Sequence, residues 1–313
     1  MKITIVGAGS MGCLYGAHLA RIGHQIAMVD VRDDVIQAIT DRGLELEGVS
    51  GSVTAATAAT SPDAATGPVD LVIVQAHSSG SSQAARVAGR VLGPKGFAIT
   101  LQNGIGNVEA LVDVLGSERV LGGISYNSAS SNGPGQSQHT NAGPTWIGEL
   151  DGTATERVAA LAATFEAAGL ATTVSDNIIG VIWDKFVHNC AINPVAAVAG
   201  LRANQVSQSR AADALQDRLL EELLALVRAK GVTLVEEDPV EAIKETCRRV
   251  TVKPSMLQHV EAGLATEIAA QNGAAIREGR ALGLEMPYNE AVTLMVTALT
   301  DRAGLQDAAL NPS

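Results

Sequence analysis

Large aromatic side chains are scarce in this sequence. Its 313 residues include only two tryptophans, three tyrosines and three phenylalanines, although hydrophobic residues make up 46% of the chain. The core must therefore be built mainly from alanine, valine, leucine and isoleucine, which favours closely packed α/β layers and helices over an aromatic-rich β-sandwich. The length suits two domains, or one large one, with an ample core.

Cysteine is scarce as well. The three cysteines, Cys13, Cys190 and Cys247, lie far apart and form no C-x-x-C pair. This number and spacing support neither a disulfide framework nor a zinc site, and we expect no metal centre. Cys13 lies just inside a predicted helix, where a thiol pKa can be lowered, but a small buried packing residue is the interpretation we favour.

Positive charge is in the minority. The 22 lysines and arginines are outnumbered by 33 acidic residues, which gives a formal net charge of −11. This balance argues against nucleic acid or an anionic membrane as a partner, while a local basic patch can still bind a small carboxylate. No apolar run is long enough to span a bilayer, and a predicted strand occupies the place of a cleavable signal peptide. We therefore expect a cytoplasmic protein, and we also expect it to form a homodimer.

The chain does contain a strong signal for nucleotide binding at its start. A predicted strand runs directly into the turn Gly7-Ala8-Gly9-Ser10-Met11-Gly12, and apolar residues at near-helical spacing follow it. In such a G-x-G-x-x-G turn the first glycine permits the tight bend, the second leaves room for a pyrophosphate, and the third lets the helix lie close to its strand. The helix N-terminus then offers free N–H groups to the phosphates, so we expect all six residues to contact a dinucleotide.

An acidic residue completes this pattern. A second predicted strand ends at Asp30, about 20 residues beyond the glycines, where a carboxylate can bind the adenosine ribose hydroxyls. A plain βα connection is the alternative, since glycine-rich turns also occur without ligands. The ordered succession of strand, turn, helix, strand and acid favours nucleotide binding.

Strand and helix signals alternate over the first half of the chain and then give way to helices alone. The pattern predicts a dinucleotide-binding domain over residues 1–175 and an all-helical domain over residues 176–313. Residues 128–144 are rich in Ser, Asn, Gly and Gln, which predicts a long surface connection or a hairpin. In the second domain, apolar spacing predicts a helix over residues 261–282 among others.

A line of polar residues marks one of the predicted helices. Lys185, Asn189 and Asn193 follow one another at intervals of four and share one helical face, while the residues between them suit burial. Buried lysine and asparagine are costly without partners, which points to a site, although a solvated stripe is the alternative. Pro194 leaves the carbonyl of Cys190 without its helical donor and predicts a kink.

Three further polar residues are candidates for the same site. Asn103 follows a predicted buried strand, and the carboxyl ends of parallel strands are where an open α/β sheet binds its ligands. Ser255 and Glu267 lie in the helical domain. The alternatives are a helix cap at Ser255 and simple turns at the other two positions.

Taken together, these motifs resemble the ketopantoate reductases, which are the 2-dehydropantoate 2-reductases of pantothenate synthesis. The resemblance rests on GAGSMG, on QNG at 102–104, on WDKFVHNCAINP at 183–194, and on PSMLQ and TEI at 254–258 and 266–268. It covers nearly the whole chain. It implies a Rossmann-type domain, a helical domain like that of 6-phosphogluconate dehydrogenase, and reduction of a 2-oxo acid by a nicotinamide cofactor.

The resemblance also implies roles for individual residues. Lys185 becomes the general acid, and Glu267 becomes the acid beside it that supports the substrate or the cofactor. Ser255 becomes a ligand of the substrate carboxylate. The polar groups expected around the substrate are Asn103, Asn189 and Asn193, and Asn103 is expected to contact the cofactor as well.

Two departures from the family pattern bear on cofactor and substrate. Enzymes of this kind that use NADPH usually have basic residues after the second strand and after the strand that ends near residue 74. Here Asp30 precedes Arg32 at the first place and His77 stands at the second, so we expect NAD(H) over NADP(H), with all three residues at the cofactor. Val252 replaces a frequent asparagine three residues before Ser255. The alternatives to reduction of 2-dehydropantoate are a dehydrogenase of another small hydroxy acid and, in a different class, an NAD(P)-binding regulator without turnover.

Overall fold

The structure is a computed structural model that describes the backbone of residues 1–310 and the side chains of residues 1–302. The chain separates into two compact units, the first spanning Met1–Val181 and the second beginning at Ile182. The first unit is an α/β unit and the second is helical.

The first unit is built on an eight-stranded sheet with the strand order β12-β11-β8-β7-β6-β1-β2-β5. Every pairing in this sheet is parallel except that of β11 with β8. Its described strands and helices, together with those of a second sheet, are β1 (Lys2–Val6), α1 (Ser10–Arg21), β2 (Gln25–Val29), α2 (Asp33–Arg42), β3 (Leu44–Gly48), β4 (Val53–Ala55), β5 (Ala58–Thr60), β6 (Val69–Val74), α3 (Ser81–Val91), β7 (Leu92–Thr100), α4 (Asn107–Leu115), β8 (Val120–Ser125), β9 (Ser128–Gly133), β10 (Gln136–Asn141), β11 (Thr145–Glu149), α5 (Glu156–Ala167) and β12 (Thr172–Val174).

The central strands of this sheet have continuous apolar sequences because they are buried. Ile3 and Ile5 of β1 and Leu71 and Ile73 of β6 are almost completely buried, because helices cover both faces of the parallel sheet. The chain leaves β1 in one direction toward β2 and returns on the other side through β6. This reversal of strand order opens a crevice at the carboxyl ends of β1 and β6, where α/β sheets bind nucleotides. The predicted Rossmann-type fold is confirmed.

A second sheet lies beside the first, and the sequence did not predict it. Residues 128–144 form the hairpin of β9 and β10, which was one of the two alternatives, but β10 also pairs in parallel with β3. With β4 the four strands form a sheet in the order β4-β3-β10-β9. The hairpin packs on α1, where the Ser137 hydroxyl donates to the carbonyl oxygen of Ser10 at 2.9 Å.

The second unit contains helices and no strand within its described residues. They are α6 (Ile178–Ala199), which begins in the first unit, α7 (Ala203–Gln208), α8 (Arg210–Ala229), α9 (Pro239–Arg249), α10 (Ser255–Glu261), α11 (Asn272–Ala281) and α12 (Pro287–Leu310). The prediction of one helix over residues 261–282 is wrong. Helix α10 ends at Glu261, Gly263 adopts a φ of +66°, and α11 begins only at Asn272. The left-handed conformation at Gly263 ends a helix in the manner usual for glycine.

Among the residues that the structure describes, none of the helices has both the length and the hydropathy that crossing a membrane requires.

Candidate active site

Glycine stands at each of three positions in the turn after β1 for a different structural reason. Gly7 has a φ of +102°, and a Cβ there would lie 2.4 Å from the backbone nitrogen of Ala76. A Cβ on Gly12 would lie 1.8 Å from the carbonyl oxygen of Gly7, so only glycine lets α1 start so close to its strand. A Cβ on Gly9 would meet nothing within 4 Å. Gly9 therefore faces open space, as the predicted pyrophosphate position requires.

That open space is a cavity of about 480 Å³ at the carboxyl end of the sheet. The helix α1 begins beside it at Ser10 and Met11, and its N-cap Gly9 provides no side-chain cap for the first N–H groups. These groups and the helix dipole favour an anion at this end. The residues around the cavity are Val6, Gly7, Gly9, Val29, Asp30, Val31, Pro62, Gln75, Ala76, His77, Ser79, Gly80, Gln83 and Ala84. The structure thus brings the glycine turn, Asp30 and His77 together.

Asp30 is held in place by backbone donors. The N–H of Ala8 donates to its Oδ2 at 2.7 Å, and the N–H of Arg32 donates to its Oδ1 at 3.0 Å. Carboxylate oxygens can accept further hydrogen bonds, so Asp30 remains able to bind ribose hydroxyls. Its negative charge therefore stands at the edge of the cavity.

Arg32 is committed to a neighbour rather than to the cavity. Its exposed guanidinium forms a two-point contact with Asp34, including a bond from Nε at 3.1 Å. This contact lowers the pKa of the Asp34 carboxyl, chiefly through the hydrogen bond from Arg32. His77 is exposed on the loop after β6, where its Nδ1 is hydrogen-bonded to the Ser79 hydroxyl at 3.0 Å.

A network of polar side chains holds the loop that carries Asn103 in place. The sequence did not predict this network. The buried amide of Gln102 donates to the carbonyl oxygen of Ala76 at 2.7 Å and to the Ser81 hydroxyl at 3.0 Å. Asn107 donates in turn to the carbonyl oxygen of Asn103 at 3.0 Å. The loops after β6 and β7 are therefore tied to each other. The only sequence signal was a polar residue directly after an apolar strand.

Cys13 is a buried packing residue, which is the interpretation that we favoured from the sequence. It is 1% exposed, its thiol lies 3.2 Å from the carbonyl oxygen of Ala8, and burial and then the charge of Asp30 raise its pKa to about 12. A thiol with so high a pKa is not a nucleophile at neutral pH.

In the second unit, Lys185 lies on α6 in surroundings that change its acidity. Burial lowers the pKa of its ammonium to about 8, and the nearby carboxylate of Glu267 partly opposes this shift. One turn further along, burial and the charge of Lys185 lower the pKa of His188 to about 4. At neutral pH the lysine is therefore mostly charged and the histidine neutral.

The predicted polar line is partly joined by hydrogen bonds. Asn193 is buried, and its amide donates to Oε1 of Gln271 at 3.2 Å. The amide of Gln271 donates to Oε2 of Glu267 at 3.4 Å, which connects Asn193 to the carboxylate that influences Lys185. Gln271, a residue that sequence reasoning did not single out, is the link. Asn189 is half-buried on α6 between Lys185 and Asn193.

A second amide supports the part of α6 that contains Pro194. The carbonyl oxygen of Cys190, which Pro194 deprives of its helical donor, accepts a hydrogen bond from Nδ2 of Asn272 at 2.9 Å. The same amide donates to Oδ1 of Asn289, also at 2.9 Å. The first residue of α11 thus replaces the helical donor that Pro194 removes.

Ser255 is exposed at the first position of α10, which Pro254 precedes as the N-cap residue. The alternative of a capping role for Ser255 is therefore not supported by its position. Within the described residues, no group of three or more His, Cys, Asp or Glu side chains is placed to hold a metal ion.

Comparison with known proteins bears on this arrangement. The family profiles described as "Ketopantoate reductase PanE/ApbA" and "Ketopantoate reductase PanE/ApbA C terminal" match residues 3–152 and 177–300. The 2-dehydropantoate 2-reductase of Pyrococcus horikoshii is 32% identical over 97% of this chain and 99% of its own length. The chain belongs to the ketopantoate reductase family.

Solved structures agree with this membership. A PanE/ApbA family ketopantoate reductase from Ralstonia eutropha is 33% identical, covers 97% of this chain and 100% of its own, and superposes with a TM-score of 0.85. A ternary structure of D-mandelate dehydrogenase with NADH and anilino(oxo)acetate shares the fold, with a TM-score of 0.85, 24% identity and coverage of 97% and 99%. As a member of the ketopantoate reductase family the chain is an oxidoreductase, and the family works with nicotinamide cofactors.

Proposed function

We propose that this member of the family reduces a 2-oxo acid to a 2-hydroxy acid, with 2-dehydropantoate as the first candidate substrate, and that Lys185 is its general acid. The observation that carries the proposal is a lysine on an otherwise buried helix whose ammonium pKa is lowered to about 8 beside Glu267. A group with a pKa close to the working pH is suited to proton transfer.

The first unit supports cofactor binding by its shape. Gly9 leaves open space at the start of α1, where a Cβ would meet nothing within 4 Å, and Asp30 stands at the edge of the same cavity. These features fit a pyrophosphate and a ribose diol. A bound nicotinamide supplies the hydride that reduces C2 of the oxo acid.

The second unit supplies the groups that complete the reaction. Reduction at C2 develops negative charge on the carbonyl oxygen, and the ammonium of Lys185 neutralises this charge and donates the proton. At pH 7 a lysine with a pKa of about 8 is mostly protonated. Glu267 favours the charged form and is itself held by Gln271. Asn189 and Asn193 offer amides to the substrate, and Ser255 offers a hydroxyl to its carboxylate.

Charge at the cavity edge supports NAD(H) over NADP(H). Asp30 is favourable for a ribose diol and repels a 2′-phosphate. Arg32 could attract that phosphate, but its guanidinium is already paired with Asp34. The neighbouring Asp33 adds further negative charge at the start of α2.

A second candidate substrate is a 2-oxo acid with an apolar substituent. Val252 stands where ketopantoate reductases tend to have an asparagine, and its side chain is 61% exposed. An exposed valine there favours an apolar group over a hydroxymethyl group. The D-mandelate dehydrogenase structures, which share the fold at 24% and 23% identity, show that this scaffold accommodates such chemistry in another protein.

The decisive experiment is a panel of 2-oxo acids, with 2-dehydropantoate and phenylglyoxylate among them, assayed with NADH and NADPH by loss of nicotinamide absorbance. Lys185→Ala should lower kcat about 10²–10⁴-fold while the Kd of the cofactor stays nearly unchanged. The matched control is Lys230→Ala, whose ammonium instead pairs with Glu278 at 2.8 Å on an exposed surface.

Three outcomes would contradict parts of the proposal. Full activity of a folded Lys185→Ala protein would remove the lysine from the mechanism and leave Glu267 as the candidate acid. Turnover of phenylglyoxylate but not of 2-dehydropantoate would favour the second substrate class. Cofactor binding without turnover across the whole panel would favour an NAD(P)-binding regulator.

A further inference from the structure

Gln75 occupies a position at the centre of the nucleotide crevice that the proposed mechanism does not use. It is the first residue after β6, and its backbone N–H donates to the carbonyl oxygen of Val6, at the end of β1, at 2.8 Å. The loop it begins lies against the glycine turn, since a Cβ on Gly7 would come within 2.6 Å of the Gln75 carbonyl carbon. Its backbone is therefore fixed where the strand order reverses.

The side-chain amide of Gln75 lacks a hydrogen-bond partner. Its Nε2 is buried and has no partner in the part of the chain that the structure describes. The residue nevertheless lines the same cavity as Gly9 and Asp30. A buried amide without a partner is costly, and native structures leave few of them unexplained.

A neighbouring glutamine shows that this loop can satisfy such an amide. Gln102 follows β7 and is, like Gln75, close to the end of its strand. Its Nε2 donates to both the Ala76 carbonyl oxygen and the Ser81 hydroxyl. The fold uses the one amide and not the other. Because Nε2 of Gln75 is closed to solvent, the side chain must turn toward the cavity to meet a ligand.

The chemistry of the cavity indicates which ligand atoms Gln75 can meet. An amide N–H requires an acceptor, and the dinucleotide proposed for this cavity carries phosphate and ribose oxygens. The carboxylate of Asp30 already accepts from the N–H groups of Ala8 and Arg32. Oxygens brought by the ligand would complete the hydrogen bonding of the buried amide.

We infer that Gln75 is a dinucleotide-binding residue whose side-chain amide donates to a phosphate or ribose oxygen of the ADP-ribose part of the cofactor. This inference rests on the proposed function only for the identity of the ligand. It gives Gln75 a role in affinity at the expense of the stability of the ligand-free protein.

The test uses the full-length protein and the variant Gln75→Met, which keeps the length of the side chain and removes its donor. Isothermal titration with NADH should show a Kd about 5- to 30-fold higher than that of the wild type, as expected for one lost hydrogen bond. Titration with ADP-ribose should show a similar ratio. The Tm of the ligand-free variant should be equal to or higher than that of the wild type, because a buried amide without a partner has been removed.

The matched control is Gln102→Met, which removes an amide that the fold uses and should lower the ligand-free Tm. A Gln75→Met protein with a lower ligand-free Tm and an unchanged Kd would make Gln75 structural and overturn the inference. A weaker Kd for NADH with an unchanged Kd for ADP-ribose would place the contact elsewhere and overturn it too. A wild-type protein that binds neither NADH nor NADPH would instead refute the proposed cofactor, and the inference with it.

Discussion

At the scale of single residues, the proposed chemistry depends on the protonation of side chains whose charged forms are disfavoured by burial. Burial lowers the pKa values of both Lys185 and His188, and Glu267 raises that of Lys185. The lysine therefore stays close to the point at which it can give up its proton. Burial and the carboxylate of Glu267 together determine how close.

The pH dependence of the reaction should report this balance. We expect kcat/KM for reduction of the oxo acid to fall as pH rises through about 8, because the reduction needs the protonated form of Lys185 in the free enzyme. The rate of oxidation of the hydroxy acid should rise over the same pH range.

The variant Glu267→Gln removes the charge that raises the pKa of Lys185, so the falling limb of the pH profile for reduction should move to lower pH. Initial rates across about pH 6 to 10 would measure both effects. A limb that stays in place in Glu267→Gln would show that another group titrates.

Cofactor preference should depend on the residues at the end of β2. We expect NADH to give the higher kcat/KM and Asp30→Ala to lower this value for NADH about tenfold or more, since charge-assisted hydrogen bonds to the ribose are lost. Asp34→Ala should release the guanidinium of Arg32 and raise kcat/KM for NADPH. Asp41→Ala, which removes an exposed charge further along α2, is the control. A wild type that prefers NADPH tenfold would show that Arg32 outweighs Asp30.

Sequence predicted some residues of the site better than others. The reasons for Gly7, Gly9 and Gly12 could be predicted because they are properties of the backbone. The pairing of Arg32 with Asp34, and the contrast between Gln75 and Gln102, could not be predicted, because sequence does not give the direction or the partners of a side chain.

At the scale of elements, periodicity predicted most strands of the main sheet and most helices, because each of these has one dominant apolar pattern. It did not predict the short edge strand β5. It missed the second sheet, whose strands β3 and β10 pair Leu46 with Ser137 across a long stretch of chain and are only partly apolar. It also extended the helix that is α11 back to Glu261, across residues 262–271. Alanine-rich composition concealed the break there, and Gly263 was the signal against it.

The proline inside α6 gives the sharpest prediction at this scale. Asn272→Ala should lower the free energy of unfolding by about 2–3 kcal/mol, since the fully buried amide supports the carbonyl oxygen of Cys190, which would then have no donor. Pro194→Ala restores a backbone N–H that can donate to the same oxygen. In that background Asn272→Ala should cost about 1 kcal/mol less. Urea denaturation of the four proteins of this double-mutant cycle would measure the coupling.

Equal costs of Asn272→Ala in both backgrounds would contradict this account. They would show that the amide matters through its bond to Asn289, which Pro194 does not affect. The helix around Pro194 would then be stable without the hydrogen bond from α11 to Cys190.

At the scale of the whole molecule, the two-part architecture was predictable because the change in composition near residue 176 is abrupt and the helical half lacks strand signals. What sequence did not reveal is how many histidines the fold takes out of water. His18 and His139 are 0% and 2% exposed in the first unit, and both are hydrogen-bonded to the hydroxyl of Ser50, at 3.2 and 2.9 Å. Burial lowers the pKa values of both, and that of His188 to about 4.

These histidines should make the protein sensitive to mild acid. A histidine with a lowered pKa in the folded state binds its proton more tightly when unfolded, so unfolding takes up protons as pH falls below about 6.5. Stability is therefore fully present above that pH and is lost between about 6.5 and the folded pKa. The carboxyl of Glu149, whose pKa is also lowered, contributes a loss only at still lower pH, as it becomes protonated. We expect the free energy of unfolding to fall steadily between about pH 7 and pH 5.

Two variants of the same polar network separate this effect from simple loss of hydrogen bonds. His139→Gln removes one titrating group, so its stability should fall less steeply with decreasing pH than that of the wild type, whatever its stability at neutral pH. Tyr15→Phe removes a hydroxyl that donates to Ser125 at 2.9 Å and does not titrate in this range, so it should lower stability by about 1 kcal/mol at every pH. Urea denaturation in buffers from about pH 7.5 to 5 would compare the slopes. Parallel curves for the wild type and His139→Gln would mean that His139 accepts its proton in the folded state as readily as in the unfolded chain.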